Sequence, residues 1–217
     1  MNINIIYEDN HLLVVEKPAG MPIVLDSSQD EDLLSILKGY LKEKYNKPGN
    51  VYLGLVHRLD RPVGGICVFA KTSKAASRLS DLIRRNQMVK KYYAVIEYQK
   101  DDLPLQGHLE DKLLKDEKTN TTKVSETGKL AVLDYVIMKK GEGLALVDID
   151  LKTGRSHQIR VQFSSRDHAL YADHRYGNYK GKEDIALYAY GLEFKHPVKD
   201  EVMRFELPLP DKYPFNI

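Results

Sequence analysis

Apolar residues come in short blocks along this chain, each closed by Pro, Gly, Asn or Asp. Residues 11–17 read as a buried strand, stopped by Pro18-Ala19-Gly20-Met21-Pro22. Leu33, Leu34, Leu37, Tyr40, Leu41 and Tyr45 then recur at helical spacing, and Ser28 with Glu31 fits a capping box at the start of that helix. Lys47-Pro48-Gly49-Asn50 ends it. Residues 51–56 and 65–70 read as strands. Thr72 or Ser73 is placed to cap a second helix whose inner face carries Ala75, Ala76, Leu79, Leu82 and Ile83.

Residues 90–98 are rich in aromatic and β-branched side chains and read as a strand. Residues 107–129 are polar and poor in large apolar groups, which predicts a loop or a small excursion. Two apolar runs, 130–138 and 144–151, flank Lys139-Lys140-Gly141-Glu142-Gly143 as a hairpin. A second hairpin joins 187–195 to 201–207 through His196-Pro197-Val198-Lys199-Asp200. Strands outnumber helices and several are joined by short turns, so the pattern predicts an α+β fold with a mixed, largely antiparallel sheet flanked by helices and loops. No repeat or linker divides the chain, and residues 1–217 read as a single domain.

Composition narrows the picture. The 217 residues are 42% hydrophobic and 29% charged, ordinary values for a soluble globular protein. No apolar run approaches the roughly 20 residues that span a bilayer. Met1-Asn2-Ile3-Asn4 lacks the basic start of a signal peptide, so a cytoplasmic location is expected, with no membrane partner. The one cysteine, Cys67, excludes an intrachain disulfide and a cysteine-rich zinc site; its apolar neighbours predict a small buried hydrophobe. A net charge of +2 argues against histone-like nonspecific binding but leaves room for a local basic face.

Three segments carry candidate chemistry. His57-Arg58-Leu59-Asp60-Arg61-Pro62-Val63-Gly64-Gly65 crowds charge at the edge of a predicted buried strand, where ionised groups are costly unless paired or used. Asp60 fits a nucleophile, a general base, a metal ligand or half of a structural ion pair. Thr153-Gly154-Arg155-Ser156-His157-Gln158-Ile159-Arg160-Val161 follows a predicted strand, with Gly154 permitting a tight turn. Its Arg155 and Arg160 suit bidentate binding of phosphate or carboxylate, or else form a solvated basic turn before a short helix. In Lys90-Lys91-Tyr92-Tyr93-Ala94, alternation sends the two tyrosines to opposite faces, one to the core and one available to stack on a base.

Taken together, and with residues 7–20 (ending Glu16-Lys17-Pro18-Ala19-Gly20) and the close His196-Pro197 through Phe205-Glu206-Leu207-Pro208-Leu209-Pro210, these segments resemble the RluA-type pseudouridine synthases, in family order over almost the whole chain. The resemblance implies the pseudouridine synthase catalytic fold and isomerisation of uridine to pseudouridine in ribosomal or transfer RNA, with no metal and no organic cofactor. It makes Asp60, Tyr92 and Arg160 the catalytic set: Asp60 the essential carboxylate, Arg160 its basic partner, Tyr92 the ring that stacks on the target base. Tyr93 is then core or sheet packing. Arg58 matches a residue that contacts RNA and fills the place of the flipped nucleotide, and His57 supports the turn or touches RNA. Arg155 and His157 complete the expected RNA-binding set. RNA is the expected partner of a monomer that requires no other protein.

Gln162 stands where the family often has His, and residues 168–173 replace a more Gly-rich pattern, although Asp173 and Tyr176-Gly177 still match. Both departures follow the arginine motif and are expected to bear on RNA contacts more than on chemistry. The resemblance leaves no room for an S4-like domain, so RNA selection is expected to rest on loops such as 107–129 and the region after Ser165. Two other readings stay open from sequence: an RNA-binding or ribosome-assembly protein with a vestigial site, and a metal-dependent phosphodiesterase using His57, Asp60 and Asp173, for which the ligand spacing is poor.

Overall fold

The computed structural model describes residues 3–26, 28–99 and 102–217. The fold is α+β. The chain forms two compact units, Met1–Met88 with Leu192–Leu207 and Val89–Gly191 with Pro208–Ile217.

In the first unit, strands β1 (Asn4–Glu8), β2 (Leu12–Lys17) and β4 (Gly64–Ala70) pair antiparallel in that order, and β3 (Gly54–Leu55) pairs with β4. The predicted strand over 51–56 thus shrinks to two residues. Helix α1 (Leu33–Lys44) begins at Leu33, and its cap is Asp32 rather than Ser28: the buried Asp32 carboxylate accepts from the Ser35 amide at 3.0 Å. Ser28 instead joins Asp26 and Arg61. Glu8 holds the helix end, accepting from the Tyr40 and Tyr45 hydroxyls at 2.8 and 2.7 Å and from Lys44 and Lys71 at 2.8 and 2.7 Å. Helix α2 (Ser73–Arg84) is capped by Thr72, as its sequence predicts. Its Ala75 and Leu79 pack with Leu12, Val14, Ile66, Val68 and Phe194. Cys67 is buried, and burial pushes its thiol up to about 12, so it is the inert hydrophobe expected.

In the second unit, β5 (Val89–Glu97) pairs antiparallel with β9 (Leu144–Leu151), β9 with β8 (Lys129–Gly141), β8 with β6 (Gln106–Asp116), and β6 with β7 (Thr121–Val124). The loop or small excursion expected over 107–129 is an excursion of the sheet: β6 and β7 form a three-stranded ribbon with β8. Along β6 only Leu109 and Leu113 are buried, so one apolar side chain in four holds an otherwise charged strand that looks like loop in sequence. The β8–β9 hairpin forms as predicted, with a two-residue turn at Glu142 and Gly143, both at positive φ. Strand β10 (Leu187–Lys195) runs from the second unit into the first, where it pairs with β11 (Val202–Glu206). The short helix α3 (Gln158–Ser164) follows the arginine-motif turn. No helix is long and apolar enough to cross a membrane among the described residues.

Candidate active site

The first unit carries His57, Arg58 and Asp60 on the connection from β3 to β4. Asp60 is half-buried in a turn closed by its carbonyl, which accepts from the Val63 amide at 3.0 Å. Leu59 and Val63 on either side are buried and fix the turn to the core. Gly65 follows at φ 121°, a conformation that favours glycine. Two cations then lock the loop. Lys17 is fully buried, and its ammonium donates to the carbonyls of Pro18, Met21 and Arg61 at 2.9, 2.7 and 2.9 Å. A buried ammonium survives because all three protons meet oxygens. Arg61 donates to the Gly20 carbonyl at 3.0 Å and Ser28 Oγ at 2.9 Å, and pairs with Asp26 and Asp30. His57 Nε2 accepts from the Val68 amide at 3.0 Å, so its ring braces β4. Arg58 is exposed.

The second unit carries Tyr92, Arg155, His157 and Arg160. Tyr92 lies on β5 opposite Ile149 and is buried. Tyr93 stacks on Tyr190 with centroids 3.8 Å apart, which matches its reading as sheet packing. Arg160 is buried on α3 and meets Asp173 in a bidentate pair, Nε to Oδ2 at 2.8 Å and Nη2 to Oδ1 at 2.7 Å. Asp173 also accepts from the amides of Arg175 and Tyr176 at 2.9 and 3.0 Å. Burial alone would raise this carboxyl; the guanidinium and the two amides outweigh it and hold it below the ordinary carboxylate range. The preceding Ala172 is left-handed, at φ 58°, the conformation a glycine-richer pattern suits.

Tyr176 completes the setting of Arg160. Its ring lies 5.1 Å from the guanidinium carbon. Its hydroxyl accepts from the Thr122 amide at 2.7 Å and bonds His157 Nδ1 at 2.7 Å. His157 is itself left-handed, at φ 53°, so its contact with Tyr176 is made from a strained residue. Arg155 is exposed, with Nε donating to the Leu130 carbonyl at 2.8 Å.

A chain of buried amides seats α3. Thr153 Oγ1 donates to Gln158 Oε1 at 2.7 Å, Gln158 Nε2 donates to Gln162 Oε1 at 3.1 Å, and Gln162 Nε2 donates to Asp111 at 2.8 Å. Gln162 and Asp173 are fully buried and His168 nearly so. Of the two departures, Gln162 and His168 thus lie in the interior, and Asp173, which keeps the family residue, is buried beside them. Sequence reading left Tyr176 and Lys17 unassigned and gave Asp173 a part only as a metal ligand in the phosphodiesterase reading. Each lay in a matched segment, but each acts through a partner distant in the chain, which spacing does not reveal.

Among the described residues no group of three or more His, Cys, Asp and Glu is arranged to hold a metal ion. His57 Nε2 and both Asp173 oxygens, invoked in the phosphodiesterase reading, are engaged by Val68 and Arg160.

A family model described as RNA pseudouridylate synthase matches residues 11–165. The chain is 32% identical over 225 residues to "Ribosomal large subunit pseudouridine synthase D" of Zymomonas mobilis, covering 96% of this chain and 69% of that protein. It is 31% identical over 217 residues to "Ribosomal large subunit pseudouridine synthase C" of Vibrio parahaemolyticus, covering 96% of this chain and 66% of that protein. The solved structure titled "Human RNA Pseudouridylate Synthase Domain Containing 4" has the same fold, with a TM-score of 0.79 at 23% identity over 96% of this chain and 89% of that one.

Proposed function

The chain belongs to the RNA pseudouridylate synthase family, and from that premise we propose that it isomerises specific uridines to pseudouridine within RNA, with Asp60 as the essential carboxylate. In this reaction the N1–C1′ bond of uridine breaks, the uracil turns, and C5 bonds to C1′; the C5 proton leaves to solvent and N1 takes one up. Asp60 serves either as the nucleophile or as the base that removes a sugar proton to give a glycal, and both roles need an ionised carboxylate held away from bulk water. Tyr92 is the ring for the target base and Arg160 the guanidinium of the site, with Asp173 and Tyr176 as its positioning residues. Arg58, His57, Arg155 and His157 are the RNA-facing set, of which Arg58 and Arg155 are exposed.

The observation that carries this reading is the Asp60 turn itself: a half-buried carboxylate in the family's motif, fixed by Lys17 and Arg61. Ribosomal or transfer RNA is the proposed substrate. The relatives' names, which specify the ribosomal large subunit, favour the ribosomal one. The test is tritium release from a large-subunit ribosomal RNA transcript labelled at uridine C5. Wild type should release tritium at defined uridines, and Asp60→Asn should release none while binding the transcript as wild type does. Full turnover by Asp60→Asn would remove Asp60 from the chemistry.

A further inference from the structure

Lys90 and Tyr92 are two residues apart on β5, so their side chains leave the strand on one face, roughly 7 Å apart along it. The ammonium of Lys90 reaches the turn before α3: a Cβ placed on Gly154 would stand 3.3 Å from Lys90 Nζ. Gly154 is not among the residues with positive φ, so the turn does not demand glycine for its conformation. The missing side chain leaves room beside the ammonium instead.

Next to that space is Arg155. Its amide donates to Gln158 Oε1 at 3.0 Å and its Nε to the Leu130 carbonyl at 2.8 Å, which aims an exposed guanidinium. Among the described residues the Lys90 ammonium makes no side-chain hydrogen bond or ion pair. Burial lowers its pKa, the Arg155 charge lowers it further, and Asp150 opposes both. Asp150 is itself bound to Lys152 at 2.5 Å. Two cations thus share one corner, one of them half-buried, and the nearby carboxylate serves a third. Such an arrangement is unfavourable until an anion enters.

We propose that Lys90 and Arg155 clasp a single phosphodiester of the RNA, on the same strand face as Tyr92, with Gly154 keeping the space open. The inference rests on the reading of the chain as an RNA pseudouridine synthase. Lys90 sets the backbone of the nucleotide whose base Tyr92 receives, and Arg155 closes on the same phosphate.

The test compares wild type, Lys90→Gln, Arg155→Gln, the double variant, Lys90→Arg and Gly154→Ala. Affinity for the large-subunit transcript is measured by filter binding at a series of KCl concentrations, and tritium release is measured in parallel. Each neutralised phosphate contributes about 0.7–0.9 to the slope of log affinity against log salt. Lys90→Gln should weaken binding about five- to tenfold at low salt and lower the slope by about one such count. The double variant should lose about one count, not two, because both cations hold one phosphate. Lys90→Arg should restore the slope. Gly154→Ala, which crowds the ammonium and removes no charge, should weaken binding about two- to fivefold, and it also serves if Lys90→Gln fails a thermal melting check. An unchanged slope and affinity in Lys90→Gln, or two lost counts in the double variant, overturns the clasp. Tritium release by wild type with unchanged slopes defeats the clasp alone. Altered slopes without any tritium release defeat the functional reading and leave the clasp standing. Failure of wild type to bind the transcript defeats both.

Discussion

Replacing Asp173 by Asn should cost far more than a surface ion pair. Both partners are shielded, with side-chain exposure of 7% for Arg160 and 0% for Asp173. Asn keeps an oxygen for the amides of Arg175 and Tyr176, so the change isolates what the carboxylate does for the guanidinium. Breaking a buried pair by removing one charge costs about 3–5 kcal/mol. For a chain of this length that corresponds to a melting temperature roughly 6–20 °C lower. The sign with pH follows from the depressed carboxyl of Asp173. Its contribution is complete above the unfolded aspartate value of about 3.9 and fades as pH falls through the lower folded value. The gap between wild type and Asp173→Asn should therefore be full at neutral pH and close on acidification. Thermal melts by circular dichroism read it directly. The double variant Asp173→Asn with Arg160→Met removes both charges and should be less destabilised than Asp173→Asn alone, with a coupling of at least about 2 kcal/mol. A loss below about 1 kcal/mol in Asp173→Asn, or a coupling near zero, would refute the argument.

Other expectations concern the first unit. Glu8 is held down to about 2: burial would raise it, but Lys44, Lys71 and the two tyrosine hydroxyls prevail. Glu8→Gln should therefore cost about 2–3 kcal/mol at neutral pH. That difference should persist above the unfolded glutamate value and vanish as pH falls through about 2, as acid titration of the two proteins by circular dichroism will report. Lys17→Met leaves the carbonyls of Pro18, Met21 and Arg61 without a buried donor. It should cost about 2–4 kcal/mol by thermal melting and should lower kcat more than it raises KM for RNA, because the Asp60 turn loosens.

Much of this architecture can be read in the sequence wherever the signal is local. Thr72 caps α2 from within the helix's own turn, and the 144–151 run meets its partner across a two-residue turn. At the start of α1 Ser28 and Glu31 mimic a capping box in sequence, while Asp32, one residue before the first buried leucine, holds the Ser35 amide. The β6–β7 ribbon escaped because Leu109 and Leu113 are too sparse to show a period of two. Asp60, Tyr92 and Arg160 stand out through dense motifs, whereas Asp173 and Tyr176 reveal their part only when the chain brings them to Arg160. Gly154 reads as a turn glycine in sequence, and its nearness to the Lys90 ammonium appears only in the fold.

The amide chain beneath α3 has a direction. Every donor in it points the same way, from the Thr153 hydroxyl through Gln158 and Gln162 to the carboxylate of Asp111, which can only accept. Turning over Gln162 would set its NH2 against the Gln158 NH2 and its oxygen against the anion; turning over Gln158 would set its NH2 against the Arg155 amide and its oxygen against the Gln162 oxygen. A seven-residue helix has little rigidity of its own. Here it is keyed like a shaft in a slot: an apolar seat would tolerate a few degrees of roll, whereas this polarised row engages at one angle only. The azimuth of Arg160 around the helix axis is thereby set by hydrogen bonds made two residues to either side of it.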